Sequence, residues 1–590
     1  MFHILSKSLR DFRNSYKRLL AFEYLFMLLT SVIIIPVITF IFNRILMVVG
    51  SGSLLNGEVY RIGMSIEGVS GLIIIGLVAS FALFIELCVL VIMIQQNYFQ
   101  KKITMADALI TTLRKTPRLL GFGFVQLLFF LLIFIPFIDS PLSESFYNLF
   151  NTTIFFQNKV LNTSFLMTLI YSIIVIVVVY VVLRWIFVLH FIMLEGQSIT
   201  EAIRSSQKLT SGKRWRILSV LLLFNAVVLG SGILILTALS YLPVWLDLDL
   251  LKAFSSHYSL TISTILAYMM ALLVMPINLI FLTRLYYYFN YGEGNRPQDR
   301  AHVYYSKLGK WENKLINRLK LLARPKLVIA VVAVIYVGIT IFVGLRASEG
   351  LVYAKWNVVI SAHRGDTLEA PENSLRSITA AIEKGYQSVE IDVQLTEDGV
   401  AVLHHDQTLK RLAKETHAIS ALSYAELGGY SIGKDSSGEV VYIASLYEAL
   451  AAAKGKVKLL IDLKPYGPAT QLVEEVVRQV KSFEMEEEVY VQAFDKEALR
   501  YMRTLEPTIK IGQVLYVALG NLTALDVDFY TIEQIMLTDK LVETAHAAGR
   551  EVWVWTVNHP KNMKEVLKYR IDGLITDYPS IAQSMVELNL

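Results

Sequence analysis

The chain has a single cysteine among its 590 residues, Cys88, and it lies inside a long apolar run. One thiol cannot form a disulfide within the chain, and a cysteine-based zinc site needs several, so both are excluded. Cys88 is most simply interpreted as a small buried hydrophobic residue. Disulfide-free domains occur on both sides of a bacterial membrane, so the scarcity of cysteine does not fix the compartment.

Charged residues are also scarce, at 18% of the chain, and they are unevenly distributed. Residues 1–354 contain 31 Lys and Arg against 16 Asp and Glu, whereas residues 355–590 contain 24 against 34. A basic half is therefore joined to an acidic half. Contacts with nucleic-acid phosphates require a basic surface, so we do not expect the acidic half to bind nucleic acid.

Long apolar runs dominate the basic half, and 54% of the whole chain is hydrophobic. A membrane-spanning helix needs about 20 mostly apolar residues. The candidate spans are roughly 21–48, 69–96, 119–138, 165–196, 215–244, 259–290 and 327–345. We predict a polytopic membrane domain over 1–325, a seventh transmembrane helix with a linker over 326–350, and a soluble domain over 355–590. The first run is too long for a cleaved signal peptide and lacks a small-residue cleavage site.

Lysine and arginine in the connecting loops predict the orientation of these spans, because cytoplasmic loops carry an excess of both. The loops on one side hold 24 basic residues and those on the other side hold three: 1–20, 97–118, 197–216 and 291–326 against 49–68, 139–163 and 245–258. We therefore predict a multi-pass protein of a bacterial cell membrane, with a cytoplasmic N-terminus and the soluble domain outside the cytoplasm. The basic, aromatic-containing loop 291–326 is expected to lie against anionic membrane lipids.

Two charged residues, Glu86 and Arg184, fall deep within predicted spans. Ionisable side chains are costly in a membrane and are candidates for function by default. Two interpretations are open: a structural Glu–Arg pair between helices, which is the simpler one, or a polar cavity for a lipid headgroup.

After residue 357 the pattern changes to short apolar strands that alternate with amphipathic helices. The predicted strands are 358–362, 388–395, 400–404, 458–463, 489–493, 510–514, 551–557 and 573–576, and helices are predicted over 374–384 and 470–483. Such an alternation of about eight strands with helices predicts a closed (β/α)8 barrel, the TIM-barrel fold. The expected fold class is thus a multidomain membrane protein: an all-α domain of about seven transmembrane helices, then an α/β TIM barrel.

Three acidic residues indicate a metal site. Glu390 and Asp392 are two residues apart on a predicted strand, so both side chains point into the barrel. Neighbouring buried carboxylates are costly unless a cation lies between them. Asp462, at another strand end, adds a third oxygen ligand. Carboxylates without cysteine suit a hard cation, so we predict one divalent ion, Ca²⁺ or Mg²⁺. The alternative is that these carboxylates only pair with Arg364 and Lys464.

Further polar residues fall near the C-terminal strand ends, where TIM barrels carry their active sites. His363 and His405 can serve as general base and acid, because imidazole titrates near neutral pH. Arg364 and Lys464 can bind phosphate oxygens. Trp555 either lines a substrate pocket or fills the barrel mouth. Together with a metal ion, this set suits the hydrolysis of a phosphodiester.

These residues lie in motifs that resemble the glycerophosphodiester phosphodiesterase family over about 355–590. The motifs are His363-Arg-Gly365, Ala370-Pro-Glu-Asn-Ser374, Glu390-Ile-Asp392, Thr396-Glu-Asp-Gly399, His405-Asp406, Asp462-Leu-Lys464, Val491-Gln-Ala-Phe494, Trp555-Thr-Val557 and Asp572-Gly-Leu-Ile-Thr-Asp-Tyr-Pro579. With its polytopic first half, the chain is similar to bacterial membrane-bound members of that family. Residues 406–445 look like the family's extra segment over the site.

The resemblance implies metal-dependent cleavage of a glycerophosphodiester to sn-glycerol 3-phosphate and an alcohol. It implies that the glycerol 2-hydroxyl attacks phosphorus, that His363 and His405 move the protons, and that a cyclic phosphate is then hydrolysed. The family's metal ligands correspond to Glu390, Asp392 and Asp462. One departure is Asp462, where the family usually has glutamate. Aspartate there resembles the related sphingomyelinase D-like enzymes, which act on lipid headgroups.

Two classes of function remain at this point. The first is an extracytoplasmic phosphodiesterase that acts on free glycerophosphodiesters or on membrane-linked ones, such as a lysophospholipid or lipoteichoic acid glycerophosphate. A phospholipase D-like lipid headgroup hydrolase is a variant of this class. The second is a lipid-handling or transport protein whose barrel only binds. The complete set of histidine, arginine and carboxylate residues favours the enzyme, and the sequence carries no signal for an oligomeric state.

Overall fold

The computed structural model describes residues 2–50, 53–119, 121–133, 165–245, 255–292, 297–322 and 358–588. The described residues belong to two compact units. The first draws on residues 1–42, 69–147 and 162–351, and the second on residues 43–68, 148–161 and 352–590.

Helices make up the first unit. Their bounds are Phe2–Leu29, Ile66–Tyr98, Met105–Lys115, Phe122–Leu132, Phe165–Trp185, Val188–Glu195, Ile199–Thr210, Arg214–Trp245, Ser255–Tyr291 and Lys307–Leu322. A π-helical turn, Thr30–Ile34, joins the first helix to Ile35–Gly50. A 3₁₀ turn over Thr116–Leu119 precedes the short apolar helix. This part of the chain is therefore an apolar helical region, as predicted.

Five described helices are long and apolar enough to cross a membrane. They are Ser6–Gly50, Ile66–Tyr98, Ser172–Glu195, Arg214–Ile235 and Leu272–Tyr291, and each overlaps a predicted span. The predicted span 119–138 is described only in part and contains the shorter apolar helix Gly123–Leu132. The predicted span 327–345 lies outside the described residues. The number of seven spans therefore stays a prediction.

The pairing expected between Glu86 and Arg184 is wrong. The carboxyl group of Glu86 lies beside that of Glu23 on the first helix, and both side chains are buried. The guanidinium of Arg184 instead lies over the ring of Tyr180, 5.5 Å from its centroid. The two residues were predicted to lie at a similar depth in the membrane. The neighbour of Glu86 is nevertheless the first helix, not the helix that carries Arg184.

The second unit is built on β-strands. In chain order they are β1 (Ser53–Leu55), β2 (Val359–His363), β3 (Ser388–Leu395), β4 (Ala401–Leu403), β5 (Ser431–Lys434), β6 (Val440–Tyr442), β7 (Lys458–Leu463), β8 (Val489–Ala493), β9 (Lys510–Leu515), β10 (Ala518–Gly520), β11 (Phe529–Glu533), β12 (Glu551–Trp555) and β13 (Gly573–Thr576). Eight parallel strands close in the order β2–β3–β7–β8–β9–β11–β12–β13, and β13 pairs back with β2. The predicted TIM barrel is confirmed.

Helices connect and cover these strands. They are Arg61–Met64, Leu375–Glu383, Tyr424–Leu427, Leu446–Ala453, Ala469–Ser482, Lys496–Leu505, Asp539–Ala547, Pro560–Val566 and Pro579–Leu588, with 3₁₀ turns at Asn56–Tyr60, Ile419–Ala421, Leu522–Ala524 and Gln534–Met536. The main core lies between the strands and these helices, where residues such as Val389, Ile461 and Leu574 are fully buried. The outward strand faces are thus apolar, as expected for parallel strands covered by helices.

Eight strands were predicted and eight strands form the closed ring, but one of the predicted strands does not belong to the ring. The predicted strand 400–404 corresponds to β4, which pairs antiparallel with β3 and lies outside the closed ring. The ring strand that the sequence missed is β11, between β9 and β12. Its five residues place Phe529 and Thr531 inside and Tyr530 and Ile532 outside, so it lacks the continuous aliphatic run that marks a buried parallel strand.

Aromatic side chains fill part of the barrel interior. Phe529 and Trp553 pack there with Leu460 and Ile575. Gly512 leaves the space for Phe529, because a Cβ at that position would lie 2.0 Å from the ring. The polar side chains described next therefore lie on a filled barrel rather than over a pore.

Candidate active site

A strained turn after β2 brings its last residues to the site. Arg364 has φ +61° and Gly365 has φ +86°, both in the left-handed region. The turn is held by hydrogen bonds: Arg364 N donates to Glu390 Oε2 at 3.1 Å, and Arg364 O accepts from Asn373 N at 2.9 Å. A Cβ on Gly365 would lie 2.7 Å from the backbone of Ser377, so glycine is required there. Strain at a non-glycine residue that is fixed on both sides is typical of a functional site.

The three predicted metal ligands meet in the barrel. Glu390, Asp392 and Asp462 are between 1% and 5% exposed, and each offers a carboxylate oxygen within 4.8 Å of the others. The strand register explains this, because Asp392 lies directly opposite Asp462 on the neighbouring strand. Asn373 supports the cluster, with Nδ2 donating to Asp392 Oδ2 at 2.7 Å.

Two cations neutralise part of this negative charge. Lys464 Nζ lies 3.1 Å from Asp392 Oδ1 and 2.8 Å from Asp462 Oδ2. Arg364 Nε lies 3.0 Å from Asp392 Oδ2. Burial favours the neutral form of Asp392, but Lys464 and Arg364 outweigh it and lower the pKa of that carboxyl. The alternative of simple ion pairing thus accounts well for Asp392.

Ion pairing does not account for the whole cluster. Among the described residues no Lys or Arg side chain forms an ion pair with Glu390, and burial followed by the charge of Asp392 raises the pKa of Glu390. Asp462 Oδ1 is buried and has no hydrogen-bond partner in the part of the chain that the structure describes. A buried lone oxygen beside an excess of negative charge is suited to coordinate a hard divalent cation, so these residues fit such an ion.

His363, at the end of β2, is held by a carboxylate that the sequence argument did not single out. Its Nδ1 lies 2.6 Å from Asp577 Oδ1, while its Nε2 faces Glu390 Oε2 at 3.9 Å. Asp577 Oδ2 in turn accepts from Asn558 Nδ2 at 2.6 Å. Burial would lower the pKa of His363, but Glu390 and the bond to Asp577 outweigh it and raise that pKa. Asp577 directly follows β13, and its place at a strand end was the available signal.

Replacing Asp577 by asparagine should lower kcat/KM for phosphodiester cleavage by at least about tenfold, because the imidazolium of His363 loses its charged partner. Asp577 raises the pKa of His363. Without that charge the pKa falls, so the limb of the pH–rate profile that belongs to His363 should move to lower pH. The control is Asp572→Asn, which removes the charge from a second His–Asp pair, His546 Nε2 to Asp572 Oδ2 at 2.8 Å. An unmoved profile in Asp577→Asn would contradict the role of this bond.

His405 follows β4 rather than a ring strand, yet it reaches the same cluster. Its Nδ1 lies 2.8 Å from Asp406 Oδ1, and its backbone oxygen accepts from the hydroxyl of Tyr466 at 2.9 Å. Both His405 and His363 lie close enough to Asp392 for their charges to favour its ionised form, so the two histidines belong to the same site as the carboxylates. The adjacent His404 is buried away from them.

A chain of ion pairs links the two sides of the site. Arg364 Nη1 donates to Glu372 Oε1 at 2.8 Å, and Glu372 Oε2 accepts from Arg411 Nη1 at 2.8 Å. Arg411 Nε donates to Asp406 Oδ2 at 2.7 Å, next to His405. Glu372 and Arg411 were not predicted, because nothing in the sequence connects these two residues, which are 39 positions apart. Arg411 belongs to residues 406–445, which contribute most of a small core of their own.

Trp555, at the end of β12, lies at the barrel mouth. Its Nε1 donates to Thr531 O at 3.1 Å, and its ring meets Phe494 edge-on with 5.8 Å between centroids. It packs against the interior aromatic cluster and remains partly exposed. Trp555 therefore combines features of both interpretations, since it caps the interior and presents a surface to the mouth.

Exposed apolar side chains surround this mouth. Tyr466, Phe494, Tyr516 and Tyr578 each follow a ring strand within three residues and are 38–42% exposed, and Leu368 lies on the turn after β2. We call these five residues the apolar rim. Large exposed apolar groups clustered in one place are typical of binding surfaces.

Comparison with known proteins assigns both halves of the chain. Residues 5–342 match the family described as "Membrane domain of glycerophosphoryl diester phosphodiesterase". Residues 363–581 match the "Glycerophosphoryl diester phosphodiesterase family". Since the first match alone spans more than half of the chain, it assigns the chain to this family.

The individual relatives described next match the barrel half of the chain. A glycerophosphodiester phosphodiesterase of Caldanaerobacter subterraneus subsp. tengcongensis is 29% identical over 238 residues, which are 39% of this chain and 97% of the relative. One from Bacillus altitudinis is 27% identical over 239 residues, 39% of this chain and 98% of the relative. A solved phosphodiesterase of Oleispira antarctica, in complex with the product sn-glycerol-3-phosphate, is 27% identical, with TM-score 0.36 and coverage of 39% of this chain and 96% of that one. The chain belongs to the glycerophosphoryl diester phosphodiesterase family, in the form that joins a membrane domain to the phosphodiesterase domain.

Proposed function

We propose that the barrel hydrolyses glycerophosphodiesters to sn-glycerol 3-phosphate and an alcohol, with the help of one divalent cation, Ca²⁺ or Mg²⁺. The observation that carries this proposal is the buried cluster Glu390, Asp392 and Asp462 with two histidines nearby. In the balanced reaction the attacking hydroxyl forms a bond to phosphorus as the P–O bond to the alcohol breaks, and the alcohol leaves with a proton. One water then replaces the attacking hydroxyl oxygen on phosphorus. Glu390, Asp392 and Asp462 would hold the cation, which supplies a positive charge for the phosphoryl oxygens.

The two histidines would move the protons. Each has its Nδ1 beside a carboxylate, Asp577 for His363 and Asp406 for His405, which fixes the ring and leaves Nε2 for the substrate. One imidazole takes the proton of the attacking hydroxyl, and the other gives a proton to the departing alkoxide. Arg364 would bind a phosphate oxygen through guanidinium donors not used by Glu372, and the Lys464 ammonium would add positive charge.

The proposal extends to substrates that are linked to the membrane. The apolar rim offers exposed aromatic surface directly around the mouth, which a small polar glycerophosphodiester does not need. A lysophospholipid, or the glycerophosphate chain of lipoteichoic acid, would bring an apolar or extended group to that surface. Attachment to a membrane domain supports the same substrates.

The test is release of glycerol 3-phosphate from glycerophosphocholine by the detergent-purified full chain with Ca²⁺, Mg²⁺ or EDTA. Release that needs the divalent ion is expected. Lysophospholipid and lipoteichoic acid are tested in parallel, with the liberated alcohol and phosphomonoester both quantified. Absence of cleavage of all three substrates, with either ion, would reject the proposal and favour a membrane protein whose barrel only binds.

We also propose that the barrel lies outside the cytoplasm, as the basic loops predict. The pairing of β1 with β10 supports this, because β1 lies in the predicted extracytoplasmic loop 49–68 and strands can pair only on one side of a membrane. In a Cys88→Ala chain, Ser437→Cys on the barrel should react with a membrane-impermeant maleimide in intact cells. Ser211→Cys, in a predicted cytoplasmic loop, should react only after permeabilisation. Both serines are exposed, so the opposite result would reverse the orientation.

A further inference from the structure

A short strand from the amino-terminal half of the chain is added to the barrel unit. β1 pairs antiparallel with β10, with Ser53 opposite Gly520 and Leu55 opposite Ala518. Leu54 and Leu55 are buried, and Leu55 belongs to the same apolar core as the barrel strands. Residues 53–61 contain this strand and the turn that follows it, and we call them the docking segment.

Asn56 fastens the docking segment to the chain that follows β9. Its Nδ2 donates to Val514 O at 2.8 Å, and its Oδ1 accepts from Tyr516 N at 2.8 Å. Its backbone N donates to Val517 O at 2.7 Å. Its φ of +50° lets the side chain face these backbone groups. Tyr516 belongs to the apolar rim, so Asn56 fixes the backbone of a rim residue.

An ion pair makes a second attachment beside another rim residue. Lys496 Nζ lies 3.0 Å from Glu58 Oε1, and Lys496 is two residues after Phe494. A cavity of about 350 Å³ lies between the docking segment and this part of the barrel, with Leu55, Tyr60 and Arg61 on one side and Phe494 on the other. Phe494 also contacts Trp555 and therefore connects the cavity to the mouth.

We propose that the docking segment is a specificity-determining part of the entrance, which holds Phe494 and Tyr516 in place for glycerophosphodiesters that carry an acyl chain. The inference rests on the proposed phosphodiesterase activity. A small substrate can bind through its phosphate and glycerol at the carboxylates and histidines alone. An acyl chain extends beyond them and needs the rim, whose Phe494–Tyr516 side is backed by the docking segment.

The activity test uses Asn56→Gly, which removes both side-chain hydrogen bonds and still permits a positive φ. KM for lysophosphatidylcholine in mixed micelles should rise about tenfold with kcat nearly unchanged, since uniform binding is lost. Values of kcat/KM for glycerophosphocholine should stay within about twofold of the unmodified chain. Asn521→Gly is the matched control, because Asn521 caps only its own turn beside β10 and should leave both substrates unaffected.

The docking is tested separately from activity by a zero-length carbodiimide cross-link in membranes, read by peptide mass spectrometry. Glu58 should be joined to Lys496. The internal standard is Glu369 with Lys384, an exposed pair inside the barrel unit at 2.9 Å. If the standard forms and the Glu58–Lys496 link does not, the docking is rejected. If the link forms but Asn56→Gly has the same KM and kcat as the unmodified chain for both substrates, the specificity role is rejected. If the unmodified chain cleaves neither substrate, the proposed function itself fails.

Discussion

His363→Ala is expected to lower kcat for glycerol 3-phosphate release by about a thousandfold, because the chain loses one of its two proton-transfer groups. His363 is the only imidazole among the described residues that is placed between Asp577 and Glu390, with 2.6 Å to the first and 3.9 Å to the second. Neither carboxylate can replace it, since Asp577 is also bound to Asn558 and Glu390 belongs to the acidic cluster. The measurement is single-turnover cleavage of glycerophosphocholine at saturating metal ion.

The matched control is His546→Ala, which breaks a partly exposed His–Asp pair of the barrel without touching the site. That variant should keep its kcat. Both variants should keep the thermal transition of the barrel near that of the unmodified chain, because each removes a partly exposed side chain. A loss of less than tenfold in His363→Ala would mean that water or another group carries the proton, and the base–acid pair would have to be abandoned.

The site residues that could be predicted from the sequence are those whose position depends only on the strand that carries them. Glu390 and Asp392 share a face because side chains alternate along a strand, and this holds for any strand at that position. His363 and Asp462 followed from their strand ends. Closure of the barrel then creates contacts between residues that are distant in sequence, and no local pattern predicts these. Asp577 reaches His363 only because β13 pairs with β2, more than two hundred residues away in sequence.

The parts that could not be predicted depend on long-range contacts of short segments. β1 has only three residues and lies in a stretch that reads as a loop between two spans. Its partner lies more than 450 residues later, so neither composition nor periodicity connects the two. The Glu372–Arg411 ion pair could not be predicted either, because its two residues belong to separate segments of the chain. β11 was missed for a local reason, since its sequence Phe-Tyr-Thr-Ile-Glu mixes aromatic and polar residues and lacks the continuous aliphatic run expected of a buried parallel strand.

Asp462→Asn is expected to lower the affinity for the divalent cation by at least about a hundredfold, because Asp462 Oδ1, a buried cluster oxygen with no hydrogen-bond partner among the described residues, becomes neutral. Activity at low metal concentration should fall accordingly, with partial recovery at high concentration. Asp462→Glu keeps the charge and has the side chain that the family usually carries, so it should retain metal dependence and change only the preference between Ca²⁺ and Mg²⁺.

Thermal unfolding distinguishes this explanation from a merely structural one. A ligand at a hundred times its Kd stabilises the folded state by about 2.7 kcal/mol, so saturating metal should raise the Tm of the unmodified barrel. Asp462→Asn should lose most of that rise. In EDTA the Asp462→Asn chain should be at least as stable as the unmodified chain, because burial raises the pKa of Asp462 and three neighbouring buried carboxylates repel one another in the metal-free cluster. Lys464 retains Asp392 as its partner in the variant. An Asp462→Asn chain less stable in EDTA and equally stabilised by metal would show that Asp462 serves Lys464 rather than a cation.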